Sequence, residues 1–259
     1  MKNLIIVLSL IGFLTACSPS QESQLIKINE FQQSEKTGTK EGLKELAILH
    51  KNYGLKYSDT EANNLLYAAG QYYFYENNLD EAKTLLTEYI TRDDSTERFR
   101  NAAINLAILH GKATEFIKAD DLISEVLEKN SPSSAQWQDI IKLYKNKVAE
   151  VKDLAPSDYE RLTLAYTAVG RFKDATNSLD TAIANYPAYE NRGDLIYRAG
   201  FIEWEYLKDT DAARVYYNRF LTDYPNDSKA AEVHEILNSG MLEMTDEAIL
   251  EMLKGKSQQ

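Results

Sequence analysis

The chain has 259 residues and a net charge of −11, with 44% apolar and 27% charged residues. That is enough for one or two domains with a real core, at a composition ordinary for globular proteins. The acidity argues against a nucleic-acid partner, which needs clustered Lys and Arg to displace counterions, and against a body lying flat on anionic lipid.

Residues 1–16 read as a cleaved export signal: Lys2 is followed by a charge-free apolar run, Leu4–Leu14, too short to span a bilayer. The run ends in Leu14-Thr15-Ala16-Cys17, which resembles the bacterial lipobox. The resemblance implies a lipoprotein, with a diacylglyceryl thioether and an N-acyl group such as palmitate on Cys17; several acyl chains hold where one is marginal. The plainer alternative is an ordinary secretory peptide with Cys17 as a passenger. Cys17 is the only cysteine, so the mature chain has no disulfide and no thiolate metal site. From Cys17 through residue 40 the chain is rich in Ser, Gln and Glu and reads as a flexible tether reaching roughly 25 Å. Ser18, in the place where proteobacterial lipoprotein sorting reads Asp, implies by resemblance an outer-membrane lipoprotein facing the periplasm.

Beyond the tether no segment alternates apolar and polar residues over strand lengths, so the fold class is all-α. A helix is expected over Glu41–Tyr53 as an N-terminal cap, with Leu43, Leu46, Ala47, Leu49 and His50 on its inner face. Helices follow over Glu61–Glu76 and Leu79–Thr91, separated by an Asn77-Asn78 turn. Residues Glu97–Asn130 form a second pair, stopped by Pro132. An odd amphipathic helix (Trp137, Ile140, Ile141, Tyr144, Val148) occupies residues 131–155 and lacks a partner of matching length. Two further pairs cover Ser157–Pro187 and Asp194–Pro225, and capping helices close the chain, the last started by Thr245.

Tyr166, Ala175, Ala182 and Pro187 are spaced 9, 7 and 5 apart. The spacing recurs as Trp204–Ala213–Phe220–Pro225, as Tyr73–Ala82–Tyr89–Asp94, and in degenerate form as His110–Ala119–Val126–Ser131. This unit resembles the tetratricopeptide repeat, with its period of about 34 residues. The resemblance implies a right-handed α-solenoid: an N-terminal block over 41–130, the connecting helix at 131–155 and a C-terminal block over 156–259. Gly70 and Ala107 take the family's small position before the marker aromatic; Phe201 breaks that pattern, with Gly200 beside it. The ending YYNRFLTDYPNDSKAAEV resembles envelope tetratricopeptide lipoproteins, among them the subunit of the outer-membrane barrel-assembly machinery.

No HExxH pair, nucleophile elbow or phosphate-binding glycine loop is present, and the histidines at 50, 110 and 234 lie far apart in sequence. The reading is a scaffold that is not an enzyme and takes no cofactor and no metal. By resemblance, the partner-binding groove is lined in the first repeat by Asn64, Tyr67, Gln71, Phe74 and Tyr75, and in the third by Glu160, Leu164, Thr167 and Ala168. In the fourth it is lined by Leu195, Arg198, Ile202, Glu205 and Tyr206. Arg198 among Glu160 and Glu205 points to a protein or peptide partner and not to a surface of one charge. The alternative is a glycan- or nutrient-capture lipoprotein, motivated by 17 Tyr.

Overall fold

A computed structural model describes residues 19–92, 96–129 and 131–256, so the signal peptide, Ser18 and Cys17 lie outside the described residues. Among these residues there are thirteen α-helices, two short 3-10 helices and no strand. The chain forms two compact units, the first ending at Arg92.

The first unit holds α1 (Gln21–Gln32), α2 (Lys40–Lys56), α3 (Thr60–Tyr75) and α4 (Leu79–Arg92). The tether expectation fails here. Ser20 caps α1, Ile28 is 3% exposed, and Gln21 and Gln24 donate to the hydroxyls of Tyr53 and Tyr57 at 3.1 and 2.8 Å. Sparse apolar residues hid this helix, because what orders it lies far along the chain: Ile28 packs with Tyr53, Ala62 and Leu65, and the two glutamines bond tyrosine hydroxyls.

Helix α2 packs closely on α3. A Cβ at Gly54 would lie 2.8 Å from Leu66 Cβ and 2.9 Å from its Cα and N, so only glycine allows this approach. Arg92 then closes the end of α2, donating to the carbonyls of Gly54 and Tyr57 at 2.8 and 2.9 Å. Ala82, Leu85, Leu86 and Tyr89 of α4 bury their stripe against α3, as the marker spacing predicts. Leu43, expected on the inner face of α2, is exposed; Gly42, Tyr53 and Gly54 are buried beside Ala47 and His50.

His50 is buried, and its Nε2 has no hydrogen-bond partner among the described residues. Burial holds its pKa below the usual histidine value, against the opposing pull of Glu61. The unfolded chain therefore takes up a proton more readily than the folded one, and this contribution is complete above about pH 6.5 and lost as pH falls through the folded value. In urea titrations His50→Phe is expected to lose less stability on acidification than the wild type. Equal pH slopes for the two proteins would show that His50 plays no part.

The second unit runs through α5 (Glu97–Lys112), α6 (Phe116–Lys129), α7 (Ser134–Glu150), α8 (Pro156–Ala168), α9 (Phe172–Asn185), α10 (Arg192–Glu205), α11 (Thr210–Asp223), α12 (Ala230–Asn238) and α13 (Asp246–Lys256). Helix pairs α5/α6, α8/α9 and α10/α11 pack within themselves, and α9 packs on α10. This is an all-α solenoid arrangement of repeats. The odd helix α7 does not divide blocks; it packs on both α5 and α8, inside one compact unit.

A polar cluster fixes α7. Lys147 Nζ binds Asp120 of α6 and, at 2.6 Å, Asp158 of α8, while Tyr144 donates to Asp120 at 2.8 Å. Asp158 also accepts from Ala155 N at 2.9 Å, completing the start of α8. Burial pulls the Lys147 ammonium pKa down, but its hydrogen bonds to Asp120 and Asp158 outweigh that and leave it raised.

Each helix pair turns through one residue in the left-handed region: Asn77, Thr114, Gly170 and Lys208, with φ of 58°, 58°, 74° and 54°. The next N–H returns to the carbonyl of Tyr73, His110, Tyr166 or Glu203 at 2.8–2.9 Å. The last turn holds one residue more than the others, Tyr206 to Asp209, and this moves the fourth repeat's frame. Glu203, and not Trp204, takes the marker position and is buried beside Lys173 at 3.2 Å. Gly200 takes the small position against Tyr217, and Phe201 turns outward.

Candidate functional site

On α8 the residues Ser157, Glu160, Arg161 and Leu164 recur at helical spacing and line one cavity with Leu127 of α6 and Arg198 of α10, about 360 Å³ in volume. Thr167 and Ala168 continue the stripe, half-buried and exposed respectively. Leu164 is 42% exposed, a branched apolar side chain set between charged ones. The structure thus brings Glu160, Leu164 and Arg198 together at one cavity.

The charges here are held loosely. Glu160 Oε1 accepts from Tyr189 Oη at 2.7 Å, and its other oxygen lies 4.0 Å from Arg198 Nη1. Arg161 donates to Ser124 Oγ at 2.7 Å and rests 5.9 Å from the Tyr144 ring, with no carboxylate partner among the described residues. The hydrogen bond to Glu160 raises the Tyr189 hydroxyl pKa.

At the far end of α10 an aromatic group stands open. Tyr206 stacks on Phe172 at 4.3 Å and 8°, and Phe201, 37% exposed, meets Tyr206 edge-on at 6.0 Å. Glu205 lies beside them, 3.7 Å from Lys208.

Two expected groove residues are not on this face. Leu195 and Ile202 are buried in the core, Ile202 at 4% exposure, because the extra turn residue shifts the register by one. Phe201 stands in the place expected for Ile202. Arg161 and Phe201 were both missed; Arg161 is signalled only by its spacing of four from Ser157 and three from Leu164.

The first-repeat candidates lie on α3 in the other unit. Asn64 bonds Glu61 at 3.2 Å, Tyr67 is half-buried with its ring 5.2 Å from that of Tyr89, and Gln71 is half-buried. Phe74 is half-buried and packs edge-on against Tyr75, which is 77% exposed. Tyr75 is the one fully available ring of the set.

The tyrosine count that motivated a glycan platform has another use. Tyr144, Tyr197 and Tyr216 each donate to a carboxylate on another helix, Asp120, Glu232 and Asp180, and Tyr189, in the turn before α10, donates to Glu160 of α8. For Tyr197, burial and the bond to Glu232 push the pKa up to about 12. These four hydroxyls fasten elements of the fold to one another. His110 is likewise committed, at 2.7 Å from Glu115.

Among the described residues no group of His, Asp, Glu or Cys is arranged to hold a metal ion, and no helix is long and apolar enough to cross a membrane. No curated protein matches the chain. Residues 194–227, which span α10, α11 and the turn after them, match the tetratricopeptide repeat family. One tetratricopeptide repeat is thus matched, and it sits among helix pairs that pack in the same succession.

Proposed function

We propose that this chain is a lipid-anchored scaffold of the bacterial envelope that holds a protein partner along the exposed face of its repeats. Tetratricopeptide repeats generally mediate protein–protein interaction, and their helical fold is typically not catalytic. The observation that carries the reading is the open stripe along α8 and α10, which presents Leu164, Arg198 and Phe201, with Tyr206 at the end of α10, while the opposite sides of both helices are buried. Such a face offers large anchors with few rotors to freeze, as interfaces favour. The anchoring half rests on Leu14-Thr15-Ala16-Cys17, and the placement facing the periplasm, in an outer-membrane assembly complex, rests on resemblance alone.

A photo-crosslinking residue at Leu164 is expected to trap a discrete protein in cells, while one at the exposed Asn218 of α11 traps none. Equal adducts from both positions would remove the groove from the account. Labelled palmitate should enter the wild type and not Cys17→Ser; incorporation into both would remove the anchor.

A further inference from the structure

The proposed partner face has a charge asymmetry opposite to that of the chain. The protein is acidic overall, at −11, yet its α8/α10 cavity contains two guanidinium groups and one carboxylate. That carboxylate, Glu160, is bonded by Tyr189 and approaches Arg198 only at 4.0 Å, the outer limit of an ion pair. Arg161 has no acidic partner among the described residues and is held in place by Ser124 and the Tyr144 ring. A guanidinium set this way keeps donors free for a planar carboxylate, which it grips in bidentate fashion.

Along α10, Phe201 stands three residues from Arg198 on the same side of the helix, and it meets Tyr206, which stacks on Phe172 of α9. Glu205 borders these rings, so an acidic ligand residue is repelled there and drawn toward the arginines. From Arg198 to Tyr206 the chain rises roughly 12 Å, which an extended peptide covers in about three or four residues.

We infer that the face selects peptide segments in which an Asp or Glu stands three or four positions from an aromatic or branched aliphatic residue, the acid on Arg161 and Arg198 and the apolar side chain on the Phe201–Tyr206 cluster. This rests on the partner-binding reading above and names the chemistry of the partner.

Panning a random displayed peptide library against the full chain in detergent tests it. Sequences with that acid-to-apolar spacing are expected to enrich, and a selected peptide should bind Arg198→Glu about tenfold or more weakly, the scale of a charged hydrogen bond. Arg198 is partly exposed and pairs only loosely, so its replacement leaves the fold intact; Arg161→Glu serves as the second variant, with circular dichroism to verify folding. Enriched sequences without acidic residues, or acidic ones whose binding survives both reversals, overturn the inference while leaving a peptide groove in place. If no sequence enriches, the groove reading itself falls and this one with it.

Discussion

Replacing Lys147 by Met is expected to cost the second unit about 3–5 kcal/mol, the usual result of removing one partner from a buried ion cluster. The size follows from what is left behind. Asp158 is almost fully buried, and both it and Asp120 lose the ammonium that compensates their charge. Asp158 is further committed to the first turn of α8 through Ala155 N, so it cannot swing away to water. Urea unfolding gives the magnitude, and hydrogen exchange gives the location: α7 and α8 should open first. Adding Asp158→Asn to Lys147→Met should restore part of the loss, since one uncompensated charge is gone. A loss under about 1 kcal/mol would mean that the cluster is as well solvated as a surface pair.

Gly54→Ala is expected to destabilise the first unit by about 1–3 kcal/mol, the range for forcing an extra carbon into a packed interface. The obstacle is Leu66 backbone as well as side chain, so no rotamer change relieves it, and α2 must move away from α3. Moving α2 also breaks the bonds from Arg92 to the carbonyls of Gly54 and Tyr57. Gly38→Ala is the control, because a Cβ there meets nothing within 4 Å. Thermal melts with the two variants indistinguishable would show that the helices separate freely.

The parts of the fold that could be read from the chain are those set by local rules. The small residues at Gly70 and Ala107, the markers Tyr166, Ala175 and Ala182, and the Asn77-Asn78 turn lie where their spacing put them. Helix α1 was not legible because its order depends on Ile28 packing with Tyr53, Ala62 and Leu65 and on Gln21 and Gln24 finding hydroxyls more than thirty residues away. In the fourth repeat a single added turn residue moved Trp204 off the marker position and put Glu203 there. The same shift took Leu195 and Ile202 out of the groove and brought Phe201 into it. Spacing rules carry a face correctly only while the count between helices is constant. What ties α7 to α6 and α8 is the Lys147 cluster, which no periodicity reveals.

The docking of α1 on α2 has a spatial consequence for the anchoring proposed at Cys17. Only four peptide steps join Cys17 to Gln21, a span of at most about 14 Å when fully drawn out. The polar layer on one side of a bilayer is itself roughly 5–8 Å deep. An acylated chain would therefore keep its first unit close to the headgroups, with only roughly 6–9 Å of reach beyond the polar layer. Lys56 and Tyr57, whose side chains bond Gln24 near the start of α1, would lie toward the lipid surface. A protein seeking the first unit would have to come in sideways, skimming the membrane.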